Sequence, residues 1–134
     1  MIALAAFLLF AQPVPADALG ECEDPQAQQL MNLCAVREFE EVDAALNEQW
    51  DITAAELKAL DAEIERASDR QPGHFETLLD GQRAWLRFRD AQCLMESFQA
   101  RGGSMQPMMD SQCRTYMTNL RIQQLREMIA GPDF

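Results

Sequence analysis

The sequence predicts an all-α protein: a small antiparallel bundle of three to four helices stapled by two disulfides. Three observations carry this. Apolar residues recur at intervals of three and four with no strand-like alternation. Gly and Pro, the usual breakers, are sparse between residues 26 and 100. Four Cys, an even number, sit in a short chain that opens with an export-like segment.

That segment is read apart from the rest. Ile2 to Phe10 is an unbroken apolar run, followed by Pro13 and Pro15 and by small-residue patterns at Val14-Pro15-Ala16 and Ala16-Asp17-Ala18. A membrane-spanning helix needs about 20 apolar residues, so the run fits a signal-peptide core better. Residues 1–18 are therefore expected to be a signal peptide and 19–134 the folded domain. No Lys or Arg precedes the run, which means either a weak signal or a start further upstream; the competing reading is a buried N-terminal helix. Glu21 stands directly before Cys22 where a lipid-attachment motif requires a small residue. The mature protein is thus expected to be periplasmic or secreted, with no membrane insertion once the signal is gone.

The folded part divides into helical segments. Met31, Ala35, Phe39, Val42, Leu46 and Trp50 make one stripe, with Glu38, Glu40, Glu41 and Glu48 off it as a solvated face. Thr53-Ala-Ala-Glu56 fits a capping box and suggests a second helix over 53–68, with Leu57, Leu60 and Ile64 facing the core. The break near Asp51-Ile52 can equally be a kink in one long helix. Gln71-Pro72-Gly73 is a turn. A third helix is expected over 74–100, its apolar side holding Phe75, Leu78, Leu79, Trp85, Leu86 and Cys93. A fourth is expected over 107–129, carrying Met109, Cys113, Met117, Leu120 and Met128, with Gly131-Pro132 ending it.

Cys93 and Cys113 lie on consecutive helices, about equally far from Gly103, and such positions meet in an antiparallel αα-hairpin. Closing that loop contributes about 3 kcal/mol in the chain-entropy picture. Cys22 and Cys34 remain. They can pair if the first helix starts near residue 27, which puts Cys34 about 10 Å up its axis, a span that about five extended residues cover. A helix starting at Asp24 would put them too far apart.

Acids outnumber bases 22 to 11, giving a formal charge of −11. This opposes any sequence-independent grip on nucleic acid and any docking on an anionic membrane. The same field would steer in a basic partner. One His, and no Cys-x-x-Cys pair, leave no pattern for a metal site, and no cofactor is expected. Nucleotide, nucleophile-elbow and calcium-loop signatures are absent. Carboxylate pairs arise by chance among 22 acids, so an enzyme is not expected.

Gln82, Trp85, Arg89 and Cys93 are spaced 3, 4 and 4 and share one helix face, with Asp90 beside them. The structural reading makes Trp85 a core anchor and Arg89 a partly buried guanidinium. Its partner would come from Asp43 or Asn47, at i and i+4 on the first helix. The rival reading is a ligand-facing site. Gly102, Gly103, Ser104, Met105, Met108 and Met109 form a loop with clustered Met, a candidate partner-binding surface; the competing reading makes these Met core filler.

Cys22, Met31-Asn32-Leu33-Cys34, Asp43-Ala-Ala-Leu-Asn47, Gln82 to Cys93, Gly102-Gly103-Ser104, and Cys113 with Thr118, Arg121 and Leu125 stand in an order that resembles the LprI-like family of small secreted bacterial proteins. The family is named for a lysozyme inhibitor. The resemblance covers about residues 22–126. It implies an all-helical, disulfide-stabilised extracytoplasmic domain and lysozyme inhibition, without assigning inhibitory residues. Two departures stand out: Trp50 where the family often has Tyr, and Gln26-Ala27 ahead of Gln28 where a Thr often caps the helix. Two partners follow as alternatives: a basic lysozyme, or another envelope protein bound by a structural module without lysozyme activity.

Overall fold

A computed structural model describes residues 22–64 and 70–131. The expected signal peptide, the far end of the segment expected over 53–68, and Pro132 lie outside the described residues. Within them the chain forms three α-helices and no strand: α1 (Gln28–Glu63), α2 (His74–Ser97) and α3 (Gln106–Ala130), with a short 3-10 turn at Phe98–Ala100 continuing α2.

α1 is a single helix of 36 residues. No Gly or Pro interrupts it, and Asp51-Ile52 is helical throughout. The expected cap at Thr53 is corrected by burial. Thr53 is fully buried in mid-helix and donates its hydroxyl to the Leu125 carbonyl of α3 at 3.2 Å, while Gln49 Nε2 donates to the same hydroxyl at 3.2 Å. Once a Thr hydroxyl is taken up by a neighbouring helix, it cannot cap its own. The start of α1 has no side-chain cap: Ala27 takes the extended N-cap conformation, and Gln26 bonds Asp24 instead.

α2 is capped from outside. The Asp61 carboxylate of α1 accepts the main-chain N–H groups of His74 and Phe75 at 2.8 and 3.0 Å, and the His74 ring at 2.9 Å. A carboxylate at this position satisfies orphan donors and complements the helix dipole. The expected run to residue 100 is α-helical only to Ser97. Gly102 then adopts a positive φ of 75°, and Pro107 sits in the first turn of α3, where its missing N–H costs nothing.

The helices are tied in a consistent order. Along α2 and α3, Cys93 bridges Cys113, Arg89 meets Thr118, and Gln82 meets Arg121. Asn32 of α1 reaches Ser104 in the turn before α3, and between α1 and α3 Gln28 reaches Met108 and Thr53 reaches Leu125. Cys22–Cys34 closes with Cα atoms 5.7 Å apart and Cys93–Cys113 with 5.4 Å. Both bridges lie at the end where α3 begins. Cys22 and Cys34 share a cleft with Met108 and Gln112, and Cys113 is the next residue along α3.

The apolar core is Leu46, Leu78, Ile122 and Leu125, flanked by Val42, Trp50, Leu57 and Trp85. Around it the interior is unusually polar. Gln49, Thr53, Gln82, Arg89, Ser97, Ser111, Thr115, Thr118 and Arg121 are all buried. Four residues expected to face the core are exposed instead: Leu60, Ile64, Leu120 and Met128. Because Thr53 lies level with Leu125 and α3 ends at Ala130, the last turns of α1 run past α3 and leave Leu60 and Ile64 uncovered. On α3 the buried face runs through Ser111, Thr115, Thr118, Ile122 and Leu125, which rotates Leu120 to the far side.

Candidate functional site

The α2 face carrying Gln82, Trp85, Arg89 and Cys93 points into the protein, and Arg89 is only 5% exposed. Its Nη1 donates to Asp43 Oδ1 at 2.8 Å and to Thr118 Oγ1 at 3.2 Å, and its Nε donates to Asp90 Oδ1 at 3.0 Å. The rings of Phe39 and Trp85 lie 5.1 and 5.2 Å from its Cζ, so the cation meets aromatic faces as well as carboxylates. Asn47, the other candidate partner, is exposed on a shallow cleft wall beside Asp43, and Arg89 bonds Asp43 instead.

The network continues onto α3. Arg114 donates through Nη1 to Asp90 Oδ1 at 3.1 Å and through Nε to Asp110 Oδ2 at 2.8 Å. Asp43, Arg89, Asp90, Arg114 and Asp110 thus alternate in sign and join all three helices. Asp43 and Asp90 keep about a third to a half of their side-chain surface in solvent, so the cost of desolvating the carboxylates is limited.

Gln82 and Trp85 face a second guanidinium. Gln82 Oε1 accepts from Arg121 Nε at 2.8 Å, and the Trp85 ring lies 5.8 Å from the Arg121 Cζ. Arg121 Nη1 donates to Gln124 Oε1 at 3.1 Å. Burial pushes the Arg121 guanidinium below its ordinary pKa. Thr118, Arg121, Arg114 and Asp110 were not read from the sequence as members of this cluster. The available signal was the 4-3-4-3 spacing of Ser111, Thr115, Thr118, Ile122 and Leu125, in which small hydroxyls continue an apolar register.

The loop from Gly102 to Met109 is pinned. Gly102 N–H donates to Gln106 Oε1 at 2.9 Å, Gly103 N–H to the Ala100 carbonyl at 2.8 Å, and Asn32 Nδ2 of α1 to the Ser104 carbonyl at 2.9 Å. A Cβ on Gly103 would lie 3.1 Å from the Ala100 carbonyl oxygen, so the turn is tight at this point. Gly102, Gly103, Ser104 and Met105 are exposed, while Met108 and Met109 are half-buried, with Gln28 Nε2 3.8 Å from the Met108 sulfur. The accessible part of the candidate surface is therefore residues 102–105.

Three helices, two disulfides and a charged tie between the helices define a small cystine-stapled helical domain. Residues 22–125 match the family described as Lysozyme inhibitor LprI, and the chain belongs to that family. An uncharacterized protein of Rhizobium meliloti (strain 1021) is 35% identical over 129 residues, which is 94% of this chain and 93% of that protein. No solved structure matches the chain. Among the described residues, no helix is long and apolar enough to cross a membrane.

Proposed function

We propose that this protein is an exported, non-enzymatic binding protein that inhibits a basic lysozyme. The observation that carries the reading is the match to the Lysozyme inhibitor LprI family across residues 22–125. The charge of −11 supports it, since it would draw in a basic enzyme and suppress wrong partners. Residues 1–18 serve as the signal peptide, and the mature domain works in the periplasm or outside the cell as an antiparallel up–down–up bundle. The Asp43–Arg89–Asp90–Arg114–Asp110 tie holds the bundle in register. The turn from Gly102 to Met105 supplies the contact that fills the target's carbohydrate cleft, with Met105 as the apolar anchor.

A turbidity assay with purified oxidised protein tests this. Chicken-, goose- and invertebrate-type lysozymes are each titrated at low and physiological salt. Inhibition of at least one type, weakened by added salt, is the expected result. No inhibition of any type at micromolar protein would remove the reading. Capture of a bacterial envelope protein would then favour the structural module.

A further inference from the structure

At the end of the bundle away from both disulfides is a cleft of about 430 Å³, lined by Leu57, Pro72, Leu78, Gly81 and Met128, with Arg121, His74 and Thr77 as its polar members. Its volume is within the size range of small-molecule sites, and most of its wall is apolar. Two features of the cleft go beyond what the packing of the helices needs.

The first is the Arg121 charge. Arg89 and Arg114 each meet two carboxylates. Arg121 is also buried, yet its partners are the neutral amide oxygens of Gln82 and Gln124 and the Trp85 ring, none of them an anion, and its Nη2 makes no hydrogen bond with any described residue. A buried cation is ordinarily paired with an anion. The second is Gly81. It stands inside α2, where glycine costs about 1 kcal/mol relative to alanine, and a Cβ built on it would meet nothing within 4 Å. Neither a turn nor a close approach requires glycine there. Its effect is to leave one wall of the cleft without a side chain.

We propose that this cleft binds a small monoanionic amphiphile, with a carboxylate on the free edge of Arg121 and an aliphatic body lying over Gly81 against Leu57, Leu78 and Met128. Guanidinium donors suit a carboxylate, and the apolar wall suits an alkyl chain. The site is separate from the turn at Gly102 to Met105, so it stands or falls independently of lysozyme inhibition.

Calorimetric titration of the oxidised protein with octanoate tests the site, with 1-octanol and acetate as the tail-only and head-only probes. Octanoate is expected to bind at least tenfold more tightly than either. Arg121→Gln should lower octanoate affinity at least tenfold. Gly81→Leu should abolish binding while the protein melts no lower than the parent, which keeps the test sound if Arg121→Gln fails to fold. Equal binding of octanol, or unchanged octanoate binding by Gly81→Leu, would overturn the proposal. So would silence toward octanoate combined with tight binding of a peptide through its terminal carboxylate, which would make this a protein-docking site.

Discussion

Thr53 donates its hydroxyl to the Leu125 carbonyl across the α1–α3 interface, and both residues are fully buried. The bond fixes the last third of α1 against the last third of α3. Thr53→Val keeps the shape and removes the donor, leaving Gln49 Nε2 without its acceptor. A loss of about 1–2 kcal/mol is expected in urea denaturation, with Thr53→Ser less affected. A Thr53→Val protein as stable as the parent would show that the bond contributes nothing.

Arg89 and Asp43 form an asymmetric pair. Arg89 is buried between Phe39 and Trp85, whereas Asp43 keeps part of its carboxylate in water. Arg89→Ala removes three hydrogen bonds and the packing of the guanidinium, and is expected to cost about 3 kcal/mol. Asp43→Asn leaves Arg89 bonded to Asp90 and should cost about 1 kcal/mol. Thermal melts of both variants decide the order. Lysozyme inhibition by the folded fraction of Arg89→Ala should persist; lost inhibition at unchanged stability would move Arg89 into the binding surface.

Asp61 caps a helix that it does not belong to. Asp61→Ala should cost about 1–2 kcal/mol through the uncapped N–H groups of His74 and Phe75, and Asp61→Asn somewhat less. Circular dichroism during denaturation should show the loss in both variants. Equal stability of Asp61→Ala and the parent would exclude a capping role.

Asn32 holds the turn through the Ser104 carbonyl. Asn32→Ala is expected to lower stability by about 1 kcal/mol and to weaken lysozyme inhibition disproportionately, because a looser turn pays more to order itself on binding. If inhibition is unaffected, the contact surface lies elsewhere.

The all-helical class and the Cys93–Cys113 bridge were legible in the sequence because they follow from simple spacing, whereas Cys22–Cys34 hung on where α1 starts and the break near Asp51-Ile52 was open between two helices and one. Breaker-free stretches mark the helices, and Cys93 and Cys113 are equidistant from a glycine turn. For Arg89 the sequence narrowed the partner on the first helix to Asp43 or Asn47, since a guanidinium on an apolar face has few ways to be satisfied, and the choice of Asp43 came from the structure. The polar interior was not. A hydrophobic stripe assigns Leu120 and Met128 to the core, whereas Ser111, Thr115 and Thr118 take the buried face of α3, where Thr118 meets the Arg89 guanidinium of α2. Thr53-Ala-Ala-Glu56 misled for a related reason: the pattern of a cap and that of a buried hydroxyl bonding a neighbouring helix are identical until the neighbour is known.

Placing both cystines at one end makes the two ends of the bundle unequal in how they open. Cys93–Cys113 holds α2 and α3 together at that end, while Cys22–Cys34 pins the N-terminal arm to α1, so amide hydrogens of α2 and α3 around Cys93 and Cys113 should exchange only through global unfolding. The end bearing Leu57, His74 and Met128 is closed by noncovalent contacts alone and can fray while the stapled end stays native. Exchange rates should therefore rise along α2 and α3 with distance from Cys93–Cys113. The octanoate-sized cleft would then sit in the part of the protein best able to admit a guest.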